Sequence, residues 1–364
     1  MGPRDLEVGA LAVIEMWSMD DACDICHTRN SMSPRVEVGL RGVGSVWIHQ
    51  CTGCGFRQVR PKLNTSELEA FYGGDYFDPG SPVGFDDYAK QRQRYKREAF
   101  FLAKELRTIS ATGRLLEVGC ALGFLLDALA RVSAWRVEGI ELSAFAAGYA
   151  RQRFGLAVQQ STLEAARFAP ETFDYVVQKD LLEHVTHPRR HLEETWRIMR
   201  PGGRLWVVVP NGELNVRPIS VLAATLDDDA LPVLDQGHLS FFSKLQLRRL
   251  FEETGFRCLR FRNIGLRRGL RALGYLPRGH LVPAVIARTD LTATVTLRDR
   301  HVVALQTDDA AVLRDRIDAE IKRRHRRIRN WMPYFYYRHL FKRLDSLVAS
   351  CAVGQDFDVL LEKV

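Results

Sequence analysis

Leu115-Leu116-Glu117-Val118-Gly119-Cys120-Ala121-Leu122-Gly123 is the stretch on which the reading of this chain turns. Its short apolar run suits a strand, the glycines punctuate it, and Phe124 to Val132 continues with apolar residues at helical spacing. A strand that passes through glycines straight into a helix is the opening unit of an open parallel sheet. Ligands bind such sheets beyond the carboxyl ends of the strands, where the strand order reverses. Gly119 and Gly123 permit positive φ and a close backbone approach, and the N–H groups at the helix start can receive an anionic group. Dinucleotide-binding folds show similar spacing, so the turn alone leaves the ligand open.

Outward from this turn, strands are predicted at Arg136 to Ile140, Ala157 to Gln160, Tyr175 to Gln178 and Leu205 to Val209. Helices are predicted at Ser143 to Phe154, Arg190 to Met199 and Ser243 to Thr254. Strict alternation of strand and helix requires crossover connections and a mostly parallel sheet covered on both faces. Residues 113 to 263 are therefore expected to form an α/β domain, a Rossmann-like doubly wound sheet. A sixth strand, Phe256 to Arg262, ends the alternation. The run Phe357 to Glu362 is read as the last strand of the same sheet, within a closing segment 351 to 364. Residues 264 to 350 then form a basic insertion. It holds a hairpin candidate (Ala293 to Leu297 with Val302 to Leu305), a basic helix through Lys322, Arg323, Arg324, Arg326, Arg327 and Arg329, and the aromatics Trp331, Tyr334, Phe335, Tyr336 and Tyr337. Residues 61 to 112 form a linker and a covering helix in which Tyr95, Ala99, Leu102, Ala103 and Leu106 share a face, with Asp86 or Asp87 as its cap.

The chain has 364 residues, 46% hydrophobic and 26% charged, which is ordinary for a folded protein rather than a disordered one. Its formal net charge of +8 favours an anionic partner. No stretch approaches the roughly 18 apolar residues of a membrane-spanning helix. The weakly apolar opening from Leu6 to Met19 carries Glu7 and Glu15 and does not read as a secretory signal. A cytoplasmic protein is the expectation.

Of seven cysteines, four fall in two pairs, Cys23-x-x-Cys26 and Cys51-x-x-Cys54, with 24 residues between the pairs. That layout can bring four thiolates around one tetrahedral Zn²⁺, and a bound metal replaces a core that a module of residues 21 to 60 can hardly build alone. Gly53 and Gly55 suit a sharp second knuckle, and Val43 to His49 alternates as a strand between the pairs. A redox or disulfide role is the competing reading.

The second strand leads to Glu141, whose carboxylate can accept hydrogen bonds from both hydroxyls of a ribose; the competing reading makes it a first-turn carboxylate of the following helix. Several motifs then follow in order: Phe173-Asp174-Tyr175-Val176-Val177, Leu182-Glu183-His184-Val185 with His187-Pro188, Met199-Arg200-Pro201-Gly202-Gly203-Arg204-Leu205, Gly237-His238-Leu239-Ser240-Phe241-Phe242-Ser243 and Glu253-Thr254-Gly255-Phe256. With Glu117 to Gly123 and Glu141, they make residues 114 to 263 resemble class I S-adenosylmethionine-dependent methyltransferases, in particular the broad group with ubiquinone-pathway and small-molecule members. One departure is Ala121, where the family usually has a middle glycine. The resemblance implies S-adenosylmethionine as cofactor, held by Glu117, Gly119, Cys120, Ala121, Gly123, Glu141 and Leu142, with adenine near Ser161, Thr162 and Leu163 and the methionine part facing Gln178.

Methyl transfer from a sulfonium chiefly needs alignment and exclusion of water. An acceptor that must lose a proton calls for a base, and His184 is the first candidate, His238 the second; a purely structural role for His184 stands beside this. His187 and His191 are read as helix-start and surface residues, and Asp180 as shaping the pocket. The cysteine pairs followed by the tyrosine-rich loop of Tyr72 and Tyr76, with Tyr88 beyond, are similar to the layout of sugar- and glycan-associated methyltransferases. The tyrosines either close over the site or pack in the core. The expected enzyme methylates a small molecule: a sugar, a nucleotide-sugar or a natural-product intermediate. An RNA methyltransferase, for which the basic helix supplies phosphate contacts, and a non-catalytic S-adenosylmethionine-binding protein are the alternatives. The same basic helix could rest on an anionic membrane or be a solvated face.

Overall fold

The computed structural model describes residues 22–40, 43–72, 76, 92–226, 230–234, 237–266, 270, 285–287 and 354–364. The hairpin, basic helix and aromatic run assigned to the insertion, together with Asp86, Asp87 and Tyr88, lie outside the described residues. The remaining chain holds three β-strands near its start, β1 (Met32–Leu40), β2 (Gly44–Cys51) and β3 (Arg57–Arg60), then helices α1 (Thr65–Phe71) and α2 (Arg92–Ile109). The alternating part follows as β4 (Arg114–Val118), α3 (Phe124–Ala130), β5 (Arg136–Glu141), α4 (Ala144–Phe154), β6 (Ala157–Gln160), β7 (Phe173–Lys179), α5 (Pro188–Ile198) and β8 (Met199–Pro210). It closes with α6 (Gly212–Ala223), β9 (Ala230–Pro232), β10 (Ser240–Phe241), α7 (Lys244–Glu253), β11 (Phe256–Ile264), β12 (Val285–Ala287) and β13 (Asp356–Lys363).

The main sheet has seven strands in the order β11-β13-β8-β7-β4-β5-β6. The pairs among β8, β7, β4, β5 and β6 are parallel, whereas β13 enters antiparallel to both β8 and β11. The order reverses beside β4, which puts the Gly119 turn at the switch point where open sheets bind ligands. Strand β13 belongs to this sheet, as its apolar run predicts, and inserts between β8 and β11. Central strands are buried on both faces, so β7 and β8 carry continuous apolar runs rather than alternation. One face of α2, with Ala99, Leu102, Ala103 and Leu106 buried, packs against α3 and the sheet.

The N-terminal strands are not a free-standing module. β1, β2 and β3 form an antiparallel sheet whose fourth strand is β10, with Ser240 opposite Gln58 and Phe241 opposite Arg57. The segment Gly237 to Phe242 therefore joins the small sheet to the α/β domain. Phe56 stacks on Phe242 at 5.3 Å, and both are buried in a core that includes Cys23, Cys51 and Leu247.

Candidate functional site

A cavity of about 510 Å³ opens at the carboxyl ends of β4, β5 and β7, in the size range of small-molecule sites. β4 delivers Gly119 at φ 73° and Ala121 at φ 49°. A Cβ at position 119 would come within 2.9 Å of Leu181 Cδ1, so glycine keeps this wall open. The loop survives the alanine, which sits in the left-handed region at a cost of about 1–2 kcal/mol. Its N–H donates to Glu141 Oε2 at 2.8 Å, and Glu141 Oε1 accepts from the Ser143 N–H at 2.8 Å. Glu141 is thus both the end of β5 and the brace of the glycine turn. Burial pushes its pKa up, against the amides of Ser143, Ala121 and Leu142.

Gly119, Ala121, Glu141, Leu142, Ser161, Thr162, Leu163 and His184 all line this cavity. The other expected cofactor residues stand behind it. Glu117 is buried, its Oε2 without a hydrogen-bond partner among the described residues, and burial raises its pKa to about 8 against the pull of the Lys179 ammonium. Cys120 is buried against Gly139. Gly123, at φ 76°, caps α3 and packs against Leu156 and Ala150.

Gln178 corrects the expectation placed on it: fully buried, it donates from Nε2 to Thr195 Oγ1 of α5 at 2.7 Å and does not line the cavity. Side chains alternate along a strand, so the cavity side of β7 belongs to Lys179, whose ammonium pairs with Glu98 of α2 at 2.5 Å. His191 is a second correction. It is buried in the cavity wall with Nδ1 3.2 Å from Glu164 Oε1, not on the surface. Despite burial, that imidazole holds the Glu164 carboxyl at about 2. His187 does cap the start of α5 and bonds Lys62.

The two candidate bases meet each other. His184 and His238 rings lie 5.0 Å apart, and each turns Nε2 toward Glu183 Oε1, at 3.7 Å and 3.9 Å. Each Nδ1 is held from behind: that of His184 by the Tyr72 hydroxyl at 2.7 Å and the Gly237 carbonyl at 3.1 Å, that of His238 by the Asn215 amide at 3.0 Å. Among the described residues neither carboxyl oxygen of Glu183 has a hydrogen-bond partner, and the three ligand atoms lie within 4.8 Å of one another, a set able to hold a divalent cation. Burial lowers the His184 pKa to about 4 and takes His238 well below its ordinary value, so both rings are neutral at neutral pH. Only His184 faces the cavity.

Tyr72 lines the cavity and packs at 5.0–5.1 Å against Phe71 and Tyr76, the packed alternative foreseen for the tyrosines. Sequence reasoning missed the opposite wall, formed by Leu63, Asn64 and Leu68 around the start of α1 and by Arg94 and Tyr95 of α2. A signal for α1 was present: Asn64 and Glu67 form a capping box.

The cysteines converge as their spacing implies. Cys26 Sγ is 3.5 Å from Cys51 Sγ and Cys23 Sγ is 3.6 Å from Cys54 Sγ, and all four lie within 4.8 Å of one another. Four sulfurs about 2.3 Å from one tetrahedral ion would be about 3.8 Å apart, close to what is found. Gly55 turns the second knuckle at φ 73°. These donors fit a zinc ion.

A profile described as a methyltransferase domain matches residues 88–260. A ubiquinone biosynthesis O-methyltransferase from Thiobacillus denitrificans is 30% identical over 157 residues, 42% of this chain and 67% of the relative. One of the same name from Aeromonas salmonicida is 30% identical over 148 residues, 39% of this chain, and the match spans only 62% of that relative's length. An S-adenosylmethionine-dependent methyltransferase structure from Mesorhizobium loti aligns at 17% identity over 42% of this chain and 78% of its own, with a TM-score of 0.35. The chain belongs to the class I S-adenosylmethionine-dependent methyltransferases. Among the described residues, no helix is long and apolar enough to cross a membrane.

Proposed function

We propose that this chain methylates a small hydroxylated molecule in the cavity beside Glu141, and that its four cysteines hold a structural zinc ion. The observation that carries the first part is the Glu141 carboxylate, buried at the cavity wall and fixed by two backbone N–H groups. Each oxygen keeps a lone pair that can accept from a ribose hydroxyl. On this reading the turn from Gly119 to Ala121 borders the methionine part of the cofactor, and Ser161, Thr162 and Leu163 border the adenine. Bound there, S-adenosylmethionine would supply an electrophilic methyl carbon to an acceptor oxygen, with a neutral thioether as the leaving group. The chain's own groups align the acceptor and exclude water. His184, neutral and lining the cavity, is the base we assign to the acceptor's proton; because its Nδ1 meets the Gly237 carbonyl, which can only accept, Nε2 is the basic nitrogen.

The relatives named ubiquinone biosynthesis O-methyltransferases favour oxygen as the nucleophile and a small acceptor. A sugar or nucleotide-sugar is the acceptor we favour within that class, and reduced, metal-bound cysteines suit the cytoplasm. Calorimetry with S-adenosylmethionine on the intact protein and on Glu141→Ala tests the cofactor site. Binding that is absent, or indifferent to the substitution, would sink the assignment. Mass spectrometry of a whole-cell extract incubated with isotopically labelled cofactor, its small-molecule and RNA fractions read separately, tests the acceptor class; label found only in RNA would overturn it.

A further inference from the structure

Helix α2 has two unlike sides. Its inner side carries Arg94 and Tyr95 to the cavity and buries Ala99, Leu102, Ala103 and Leu106. Its outer side presents Phe100, 49% exposed, and Phe101, 67% exposed. Exposed cations surround them: Lys96, Arg97, Lys104 and Arg107. At 3.6 residues per turn these six side chains fall within an arc of roughly 140°. The carboxylates of the helix are turned inward and engaged, Glu98 by Lys179 and Arg94, Glu105 by Tyr175 and Arg260. None of the four outer cations forms an ion pair with a described residue. The arc is therefore apolar at its centre, positive around it and without acid.

We propose that this outer face of α2 is a docking surface for an anionic lipid bilayer, with Phe100 and Phe101 entering the headgroup–acyl boundary and the four cations meeting lipid phosphates. Charge decides the occupant. A second copy of the chain would bring the same cations face to face, whereas a bilayer of anionic lipid complements both parts of the arc. A nucleic acid would share the charge but would need open ring faces for its bases. The two rings instead pack edge to face at 5.8 Å, and the Lys104 ammonium covers Phe100 at 4.4 Å. Because the helix that meets the bilayer also walls the cavity, docking would place the active site at the membrane surface.

The test is co-sedimentation of the full chain with vesicles of phosphatidylglycerol and phosphatidylcholine, against phosphatidylcholine alone. Phe100→Ser/Phe101→Ser and Lys96→Glu/Arg97→Glu are compared with the unaltered protein, after matched thermal melts show that each is folded. The expected result is binding to the anionic vesicles only, weakened at least tenfold in both double variants while cofactor binding is unchanged. Failure of the unaltered protein to sediment overturns the proposal. So does vesicle binding that both variants retain, which would place the contact elsewhere on this basic chain. A dimer that the phenylalanine variant dissociates, or RNA binding that it abolishes while vesicles are ignored, assigns the face to another partner and equally overturns it.

Discussion

Glu141 illustrates how much one side chain does at the mouth of a parallel sheet. Its two oxygens accept from Ala121 and Ser143, and hydrogen bonds to a charged group are each worth about 1.5–3 kcal/mol. Glu141→Ala should therefore weaken S-adenosylmethionine binding by about 100-fold or more, read by calorimetry, and loosen the glycine turn. Glu117 makes a different prediction. Its folded pKa, about 8, lies above the ordinary carboxylate value of 4.5 because burial disfavours the charge. Between these two values the native state keeps a proton that the unfolded chain has lost, so its contribution to stability is present at acid pH and falls as pH rises. The slope is up to about 1.4 kcal/mol per pH unit. Urea midpoints measured across that window should decline less steeply for Glu117→Gln than for the unaltered protein. At this scale the sequence marked Glu141 as the end of its strand, where it lines the cavity, but misplaced Gln178, since a strand's alternation is readable while the face that meets the cavity is not.

At the scale of elements, turn chemistry and periodicity located every strand of the main sheet, including the last one. They missed α1 despite its capping box, and α6, where a local rule is broken. α6 carries Pro218 inside it, and proline ordinarily breaks helices, so the segment gave no helical signal. The start of that helix yields a prediction. A Cβ on Gly212 would stand 2.2 Å from the carbonyl carbon of Phe241 and 2.4 Å from the Phe242 nitrogen, both backbone atoms. Gly212 also donates its N–H to the Phe242 carbonyl at 2.9 Å. Gly212→Ala cannot be absorbed by a rotamer change and should cost about 3 kcal/mol or more, seen as a lowered thermal midpoint. The damage should extend to the small sheet, because the displaced strand β10 belongs to it.

For the whole molecule, the cysteine cluster and the cavity are mechanically joined. Gln58 donates to the Thr186 carbonyl at 3.1 Å, Lys62 meets His187 at 3.0 Å, and Arg189 donates to the carbonyls of Asp24 and Ile25 at 2.9 Å and 3.2 Å. These bonds tie the cysteine module to the loop that carries His184. Stripping the proposed zinc ion with a chelator should lower the thermal midpoint and weaken cofactor binding about tenfold or more; calorimetry paired with a metal assay checks it, and full affinity in verified metal-free protein would contradict it. The sequence by itself determined the doubly wound sheet, the glycine turn with its acidic partner, and the grouping of the cysteines, because strand and helix periods, turn glycines and ligand spacing act within a few residues of one another. Only the tertiary structure decided that Lys179 rather than Gln178 faces the cavity, that Tyr72 meets His184 across 112 residues of chain, and that Ser240 and Phe241 complete the cysteine-bearing sheet. Those choices depend on which surfaces pack together, and burial of apolar area is not directional enough for local sequence to specify its partner.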